Sequence, residues 1–335
     1  MNDIVQLDHG SGGRATQELV QRCFFQLFAN EYLLQMNDSA LLPWAGGQMA
    51  MTTDSYVVDP IIFPGGDIGS LAVHGTVNDL AMQGARPLYL TAGFILEEGL
   101  SLEVLEYVAR SMAEAAREAQ VMIVAGDTKV VPRGKADRLF INTAGVGVVP
   151  SGIRVGGQYA RPGDSVLING TIGDHGIAVL CKREGLAFER EILSDSAPLN
   201  DLVSGILESC PRVRVLRDPT RGGVATALNE IAQQSGVGIV LFEESLRIKE
   251  DVAGACEVLG LDPLYVANEG KVLVFVPPDD EQLVLNLMRN HPRGRDGVKI
   301  GQVTQEGAGR VTLETGVGGH RLVQMLHGEQ LPRIC

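Results

Sequence analysis

The chain has 335 residues, 45% hydrophobic and 21% charged, with a net charge of −13; that length exceeds what one core usually fills, so two domains are expected. The acidic balance argues against a general binder of nucleic acid or of anionic membrane, which needs a basic face, but allows ATP held through metal ions that bridge carboxylates to phosphates. No run of about 18 apolar residues predicts a transmembrane helix, and the start Met1-Asn2-Asp3 lacks the basic-then-apolar pattern of a secretory signal.

Residues 9–13, His-Gly-Ser-Gly-Gly, form a glycine-rich loop, and Leu19, Val20, Cys23, Phe24, Leu27 and Phe28 recur at helical spacing from Arg14 to Phe28. Such a loop before a helix can cradle phosphate on backbone N–H groups. No Gly-Lys-Ser/Thr follows, so it is not a P-loop, and a flexible arm fits equally well.

Four acidic positions come next. Asp38 lies in Met36-Asn37-Asp38-Ser39-Ala40, Asp54 closes a strand-like run from Met49, Asp79 follows Asn78 in a helical segment over 70–82, and Asp127 follows the apolar strand 121–125 in Gly126-Asp127-Thr128-Lys129. Carboxylates at strand ends suit hard cations that bridge to phosphate. A cap or turn role competes at each one, except at Asn78-Asp79, where polar groups inside an apolar helix need partners. The stripe Leu102, Leu105, Val108, Met112 predicts a scaffold helix over 102–119. Lys129 reads as a phosphate partner, a desolvated base or a solvated surface lysine. Leu139 to Val149 is an apolar β-branched strand.

Ser151 to Pro162 is the linker candidate, and a turn at Arg161-Pro162-Gly163-Asp164 leads into a strand over 165–169. Gly170 to Gly176 opens a helix to about Arg183, with His175 near its start reading as a ligand or, more often for that position, a satisfied structural histidine. A short strand ending at Leu216 delivers Arg217-Asp218-Pro219-Thr220-Arg221-Gly222-Gly223 before a helix over 224–234. Two arginines at a strand-to-helix turn make an anion site, where guanidinium and helix dipole act together. Ala267-Asn268-Glu269-Gly270-Lys271 precedes a strand over 272–276, and Glu269 reads equally as catalytic or as a turn residue. From Gly316-Val317-Gly318-Gly319, expected as a hinge, twenty residues lead to Cys335 and could span at most roughly 65 Å. Pro332 favours an extended Leu331. A terminal carboxylate beside the Cys335 thiol opposes thiolate formation, and Arg333 offsets part of this. The five cysteines, Cys23, Cys181, Cys210, Cys256 and Cys335, are scattered, odd in number and without a CxxC pair. They fit a reducing cytoplasm rather than disulfides or structural zinc, and Cys23, Cys181 and Cys256 read as core.

Together, Gly126-Asp127-Thr128-Lys129, the Arg217 to Gly223 run, the Ala267 to Lys271 run and Pro332-Arg333-Ile334-Cys335 resemble the HypE family of carbamoyl dehydratases, which act in nickel–iron hydrogenase maturation. The resemblance runs end to end. It implies an α/β (α+β), two-domain fold like that of aminoimidazole ribonucleotide synthetase, selenophosphate synthetase and thiamine-monophosphate kinase. The expected division is an ATP-binding and dimerisation domain over 1–152, an α/β domain over 153–315 and a mobile tail over 316–335. It further implies Mg²⁺ held by Asp38, Asp54, Asp79 and Asp127, with Asn78, Thr128, Asp218 and Arg221 completing the ATP site. Cys335 would carry a carbamoyl group loaded by a carbamoyltransferase, HypF, and a HypC–HypD complex would accept cyanide onto iron. The implied protein is a cytoplasmic homodimer with no nucleic-acid or membrane partner.

The implied chemistry converts a thiocarboxamide into a thiocyanate. Phosphoryl transfer from ATP turns a poor leaving oxygen into a good one, mainly by positioning and charge neutralisation. The nitrogen protons need a base: Glu269 is the first candidate, with Lys129 as base or phosphate stabiliser. Two other readings use the same motifs: a family member acting on a free small molecule, and a non-catalytic ATP-binding carrier. Neither has a use for the final cysteine as a reacting group.

Overall fold

The computed structural model describes residues 13–19, 21, 33–35, 37–44, 47–328, 331 and 333–335. The expected loop before Gly13, most of the helix expected to reach Phe28, Cys23 and Pro332 lie outside the described residues.

The first half is a sheet of five strands backed by helices. Its strands are β1 (Ala40–Trp44), β2 (Gly47–Tyr56), β5 (Arg86–Glu97), β6 (Met122–Val131) and β7 (Leu139–Val149), in the spatial order β1-β2-β7-β5-β6. All neighbours run antiparallel except β5 and β6. A small hairpin, β3 (Ile62–Phe63) with β4 (Gly66–Asp67), precedes the long helix. Helix α1 (Arg14–Leu19) comes first; α2 (Ile68–Met82) and α3 (Leu102–Glu118) cover one sheet face. Asp67 caps α2, accepting from Gly69 N–H at 2.7 Å, while Ser70 answers the cap's own N–H at 3.1 Å, a reciprocal capping box. Helix α2 is buried on nearly every side, as its apolar composition all round requires; α3 buries the later part of its expected stripe, Val108, Met112, Ala115 and Ala116, while Leu102 in its first turn lies beyond the core and is 74% exposed.

The second half is a seven-stranded sheet: β8 (Ser165–Ile168), β9 (Val215–Arg217), β10 (Gly238–Phe242), β11 (Leu273–Val276), β12 (Val298–Thr304), β13 (Val311–Glu314) and β14 (His320–Val323), ordered β14-β13-β10-β12-β8-β11-β9. Helices α4 (Asp174–Glu184), α5 (Asn200–Ser209), α6 (Gly223–Ser235), α7 (Glu250–Leu259) and α8 (Glu281–Asn290) pack around it. Strands β8 and β11 are fully buried, as their unbroken apolar runs demand. Cys181 and Cys256 share one core cluster with Ile177, Ala178 and Val252.

Two expectations change. The linker candidate carries a 3-10 turn, Gly157–Tyr159, packed on α6, so it is part of the second core rather than a free connector. The run Gly316–Gly319 is no hinge: Thr315 N–H bonds Gly319 O at 2.8 Å, closing the β13–β14 hairpin. Two further main-chain contacts hold the chain after β14: Arg14 N–H donates to Leu326 O at 3.1 Å, and the Tyr265 hydroxyl donates to Gln324 O at 2.9 Å.

Candidate functional site

The two halves meet along α2, and the polar residues collect at that seam. Asp79, near the C-terminal end of α2, accepts from Thr52 Oγ1 of β2 at 2.8 Å. Asp38, just before β1, pairs with Arg217 at the end of β9. Asp218 follows in a turn that continues through consecutive left-handed glycines, Gly222 (φ +77°) and Gly223 (φ +62°), into α6. A Cβ on Gly223 would lie 2.5 Å from the Leu264 carbonyl, so only glycine lets the turn close there.

Asp38, Asp79 and Asp218 offer carboxylate oxygens within 4.8 Å of one another. Burial raises the proton affinity of all three; the charges of Asp218 and Asp38 add to it at Asp79, and that of Asp38 at Asp218. Asp218 is pushed up to about 8, by burial first and then by the charge of Asp38, against the pull of Arg217. Asp54 borders this group: it accepts from the Tyr56 hydroxyl at 3.1 Å, and its charge acts on Asp38, Asp79 and Asp218. An all-oxygen donor set short of positive charge fits a hard divalent cation.

Glu269 is buried on the other side of the seam. The Asp195 carboxylate accepts from the Glu269 and Gly270 N–H groups, each at 3.2 Å, and pairs with Lys271 Nζ at 2.7 Å. A Cβ on Gly270 would lie 1.8 Å from the Asp195 carbonyl, which explains that glycine. Among the described residues Glu269 Oε1 has no hydrogen-bond partner. Burial lifts the Glu269 carboxyl well above its usual range, and the charges of Asp218, Asp195 and Asp54 add to this against Arg221.

The last residues run into this seam. Val57 N–H donates to Cys335 O at 3.2 Å and Asp59 N–H to Arg333 O at 3.1 Å, the alternation of an added strand. Ile334 is buried in the core of the first half. The Cys335 thiol reaches the Glu269 carboxyl; burial, Glu269 and Asp54 push it up to about 12, opposed by Arg221.

Residues 36–149 match the family description "AIR synthase related protein, N-terminal domain", and residues 161–314 its C-terminal counterpart. The chain is 57% identical over 335 residues to "Carbamoyl dehydratase HypE" of Bradyrhizobium diazoefficiens, covering 100% of this chain and 97% of that one. Its Escherichia coli counterpart is 48% identical, with 100% of both chains covered. The chain belongs to the HypE family. A solved HypE–HypF complex superposes with a TM-score of 0.88 at 52% identity, covering 92% of this chain and 99% of that one. A solved HypE in complex with ATP gives 0.84 at 52% identity, covering 99% and 100%. Thiamine-monophosphate kinase from Aquifex aeolicus, at 20% identity, shares the fold, with a TM-score of 0.66 and 90% and 98% coverage.

Of the residues singled out from the HypE resemblance, Asp38, Asp54, Asp79, Asp218, Arg221, Glu269 and Cys335 gather at the seam. Asp127, Thr128 and Lys129 do not. They lie inside β6 rather than beyond it, because the strand runs on to Val131. Asp127 is paired with its near neighbour Lys129, at 3.0 Å, and both side chains are 71% exposed. Through the register Asp54–Thr143, Thr143–Ala92, Ala92–Gly126, three strand spacings separate β2 from β6, roughly 14 Å. Within one chain Asp127 therefore does not join the carboxylate group, and Asp218 takes that place. Asn78 also has another job. Its Nδ2 donates to Ala197 O at 3.0 Å and its Oδ1 accepts from Leu199 N–H at 2.8 Å, clasping the 195–199 loop to α2. Asp195 and the tail contacts of His175 and Arg183 carried no motif signal, since their partners are more than seventy residues away.

Proposed function

We propose that the protein is an ATP-dependent carbamoyl dehydratase whose substrate is a carbamoyl group carried on the Cys335 thiol. The observation that supports this most is the seating of that thiol against Glu269, beside the carboxylate group, in one buried seam. A reacting group on Sγ meets a proton acceptor on one side and cation-binding oxygens on the other.

Balanced, the reaction consumes R–S–C(=O)–NH₂ and ATP and yields R–S–C≡N, ADP, phosphate and protons. The amide oxygen attacks the γ-phosphorus, one N–H proton leaves, and the C–O bond then breaks with loss of the second. Glu269 is placed to take protons from nitrogen, and its lifted proton affinity makes it a stronger base than an ordinary carboxylate. Arg221 is placed to offset negative charge beside Sγ. Mg²⁺, held by Asp79, Asp218 and Asp38, with Asp54 alongside, would neutralise phosphate charge. The nucleoside seat we assign is the cavity of about 800 Å³ lined by Asn37, Gln48, Gln83, Ile153, Gln158 and Tyr159, which Asn37 joins to Asp38. The buried tail keeps water from the activated group.

The active unit is a homodimer. Among the described strands β6 has one neighbour, and it exposes Met122, Val124 and Val130 along one face, an edge that calls for cover. On its outer side, among the described residues, β2 is paired with β1 over Gly47–Met51, and no strand pairs there with the stretch that carries Asp54. A second copy's β6 laid there brings Asp127, Thr128 and Lys129 to the seam, with Lys129 as base or phosphate stabiliser. The partners are a HypF-type carbamoyltransferase, as in the solved HypE–HypF complex, and a HypC–HypD acceptor of cyanide.

Intact-mass analysis of the C-terminal peptide tests the reading. Incubation with the carbamoyltransferase is expected to add one carbamoyl group, and Mg-ATP then to remove one water. An unchanged mass, or the same changes in Cys335→Ala, overturns it.

A further inference from the structure

We propose that His175 is a positioning residue: its Nε2–H grips the Ile334 carbonyl and thereby sets the Cys335 thiol against Glu269. The inference rests on the reading that Cys335 carries the reacting group.

His175 lies in the first turn of α4, fully buried, with its ring edge-on to Phe63 at a centroid distance of 5.4 Å. Nε2 is 2.9 Å from Ile334 O. A carbonyl only accepts, so Nε2 carries the hydrogen. Nδ1 must then accept, and Ser194 Oγ at 2.8 Å is there to donate. Ser194 Oγ in turn accepts from Ser196 N–H at 3.0 Å. The relay runs one way, from Ser196 N–H through the Ser194 hydroxyl to Nδ1 and from Nε2–H to Ile334, and it fixes the tautomer.

The same helix holds the preceding carbonyl. Arg183 Nη2 donates to Arg333 O at 2.6 Å, while its Nε donates to Asp59 O at 2.7 Å. With Val57 N–H on Cys335 O, three consecutive carbonyls of the tail are gripped from main chain or from α4. Gly176 lets Leu331 pass close by: a Cβ there would lie 3.2 Å from Leu331 Cδ1. These polar contacts are all to carbonyls and none is to Sγ, so they hold the tail by its main chain.

The test uses the full-length protein without ATP or partner, so it does not depend on carbamoyl chemistry. Iodoacetamide alkylation of Cys335 is followed by mass of the C-terminal peptide. His175→Ala is expected to raise the rate about ten-fold, the worth of one buried hydrogen bond. His175→Gln restores slow alkylation, because its amide N–H can reach the same carbonyl. A wild-type rate in His175→Ala, or no restoration by Gln, overturns the proposal. Should the alanine variant not fold, ¹⁵N-histidine spectra of the wild type decide: an Nε2-protonated His175 supports the relay and an Nδ1-protonated one overturns it. Slow alkylation that depends on His175 in a protein that never dehydrates its tail leaves the latch standing and sinks only the functional reading.

Discussion

The Cys335 thiol lies against the Glu269 carboxyl, and burial together with that carboxyl makes the thiol harder to ionise. A thiol pushed up to about 12 is protonated at neutral pH, and the thiolate is the nucleophilic form of cysteine. Seated inside, Cys335 is therefore unfit to pick up a carbamoyl group. The seat suits a tail that arrives already loaded, with Glu269 then facing an amide instead of a thiol.

Glu269→Gln keeps the volume and removes the base, and phosphate release from the carbamoylated protein is expected to slow by about 10²–10⁴ in a single-turnover assay. The wild-type pH profile carries the sign. Because the carboxyl is lifted, its basic form is present only above that raised value. The rate therefore climbs with pH along a limb that lies above the ordinary glutamate value of 4.5. A limb at or below that value, or a Gln variant of normal rate, removes Glu269 from the role.

Asp218 takes up a proton on folding between its unfolded value of 3.8 and its folded value of about 8, so stability drains away as pH rises across that window. Asp218→Asn removes this penalty. At pH 8 without metal the variant is expected to be more stable than the wild type by about 2 kcal/mol, read by urea titration. It should also lose the thermal upshift that Mg²⁺ gives the wild type. An Mg²⁺ upshift of wild-type size in the variant places the cation elsewhere.

Val124→Lys puts a charge in the middle of the exposed edge of β6, where Val124 is 58% exposed. In the proposed dimer that side chain would be covered, and an unpaired buried charge is strongly disfavoured. Sedimentation at micromolar concentration should show the wild type as a dimer and the variant as a folded monomer without dehydratase activity. A monomeric wild type, or an active monomer, removes the partner's Lys129 from the site.

His74, in the middle of α2, donates to or accepts from Ser196 Oγ at 2.9 Å, and its affinity for a proton is lowered to about 3 by burial and by the Arg293 charge. The folded value lies below the unfolded 6.5, so this contribution is complete above 6.5 and is lost as pH falls towards 3. Between pH 6.5 and 5 the loss is about 2 kcal/mol. His74→Gln should flatten that part of the curve of urea midpoint against pH, and an unchanged slope rules the group out.

Local signals carried far into the sequence and then stopped. Burial on all sides makes α2 readable from its apolar run, and the glycine pair after Arg221 marks a turn that only glycine can make. The Arg217 to Gly223 run stands out at a strand-to-helix turn, and Glu269, beside a glycine at a strand start, through the family resemblance. The joint between them does not. Asn78 looked like a ligand because a polar residue in an apolar helix needs a partner; its partner proved to be backbone some 120 residues later, at Ala197 and Leu199. Gly316–Gly319 looked like a hinge because glycine permits both free chain and tight turn, and only the pairing of Glu314 with His320 decides between them. The apolar run over 121–125 places Asp127 after its strand, whereas Gly126 continues the strand under the Ala92 carbonyl.

The anchoring of Leu326 by Arg14 limits how far the final thiol can travel. Nine residues follow Leu326, a tether of about 30 Å at full stretch. On the proposed chemistry, loading and discharge must both take place inside that radius, so donor and acceptor have to crowd around the same root. One cannot stay docked while the other is served. The order of the steps would then be imposed by occupancy, without any signal passing through the fold.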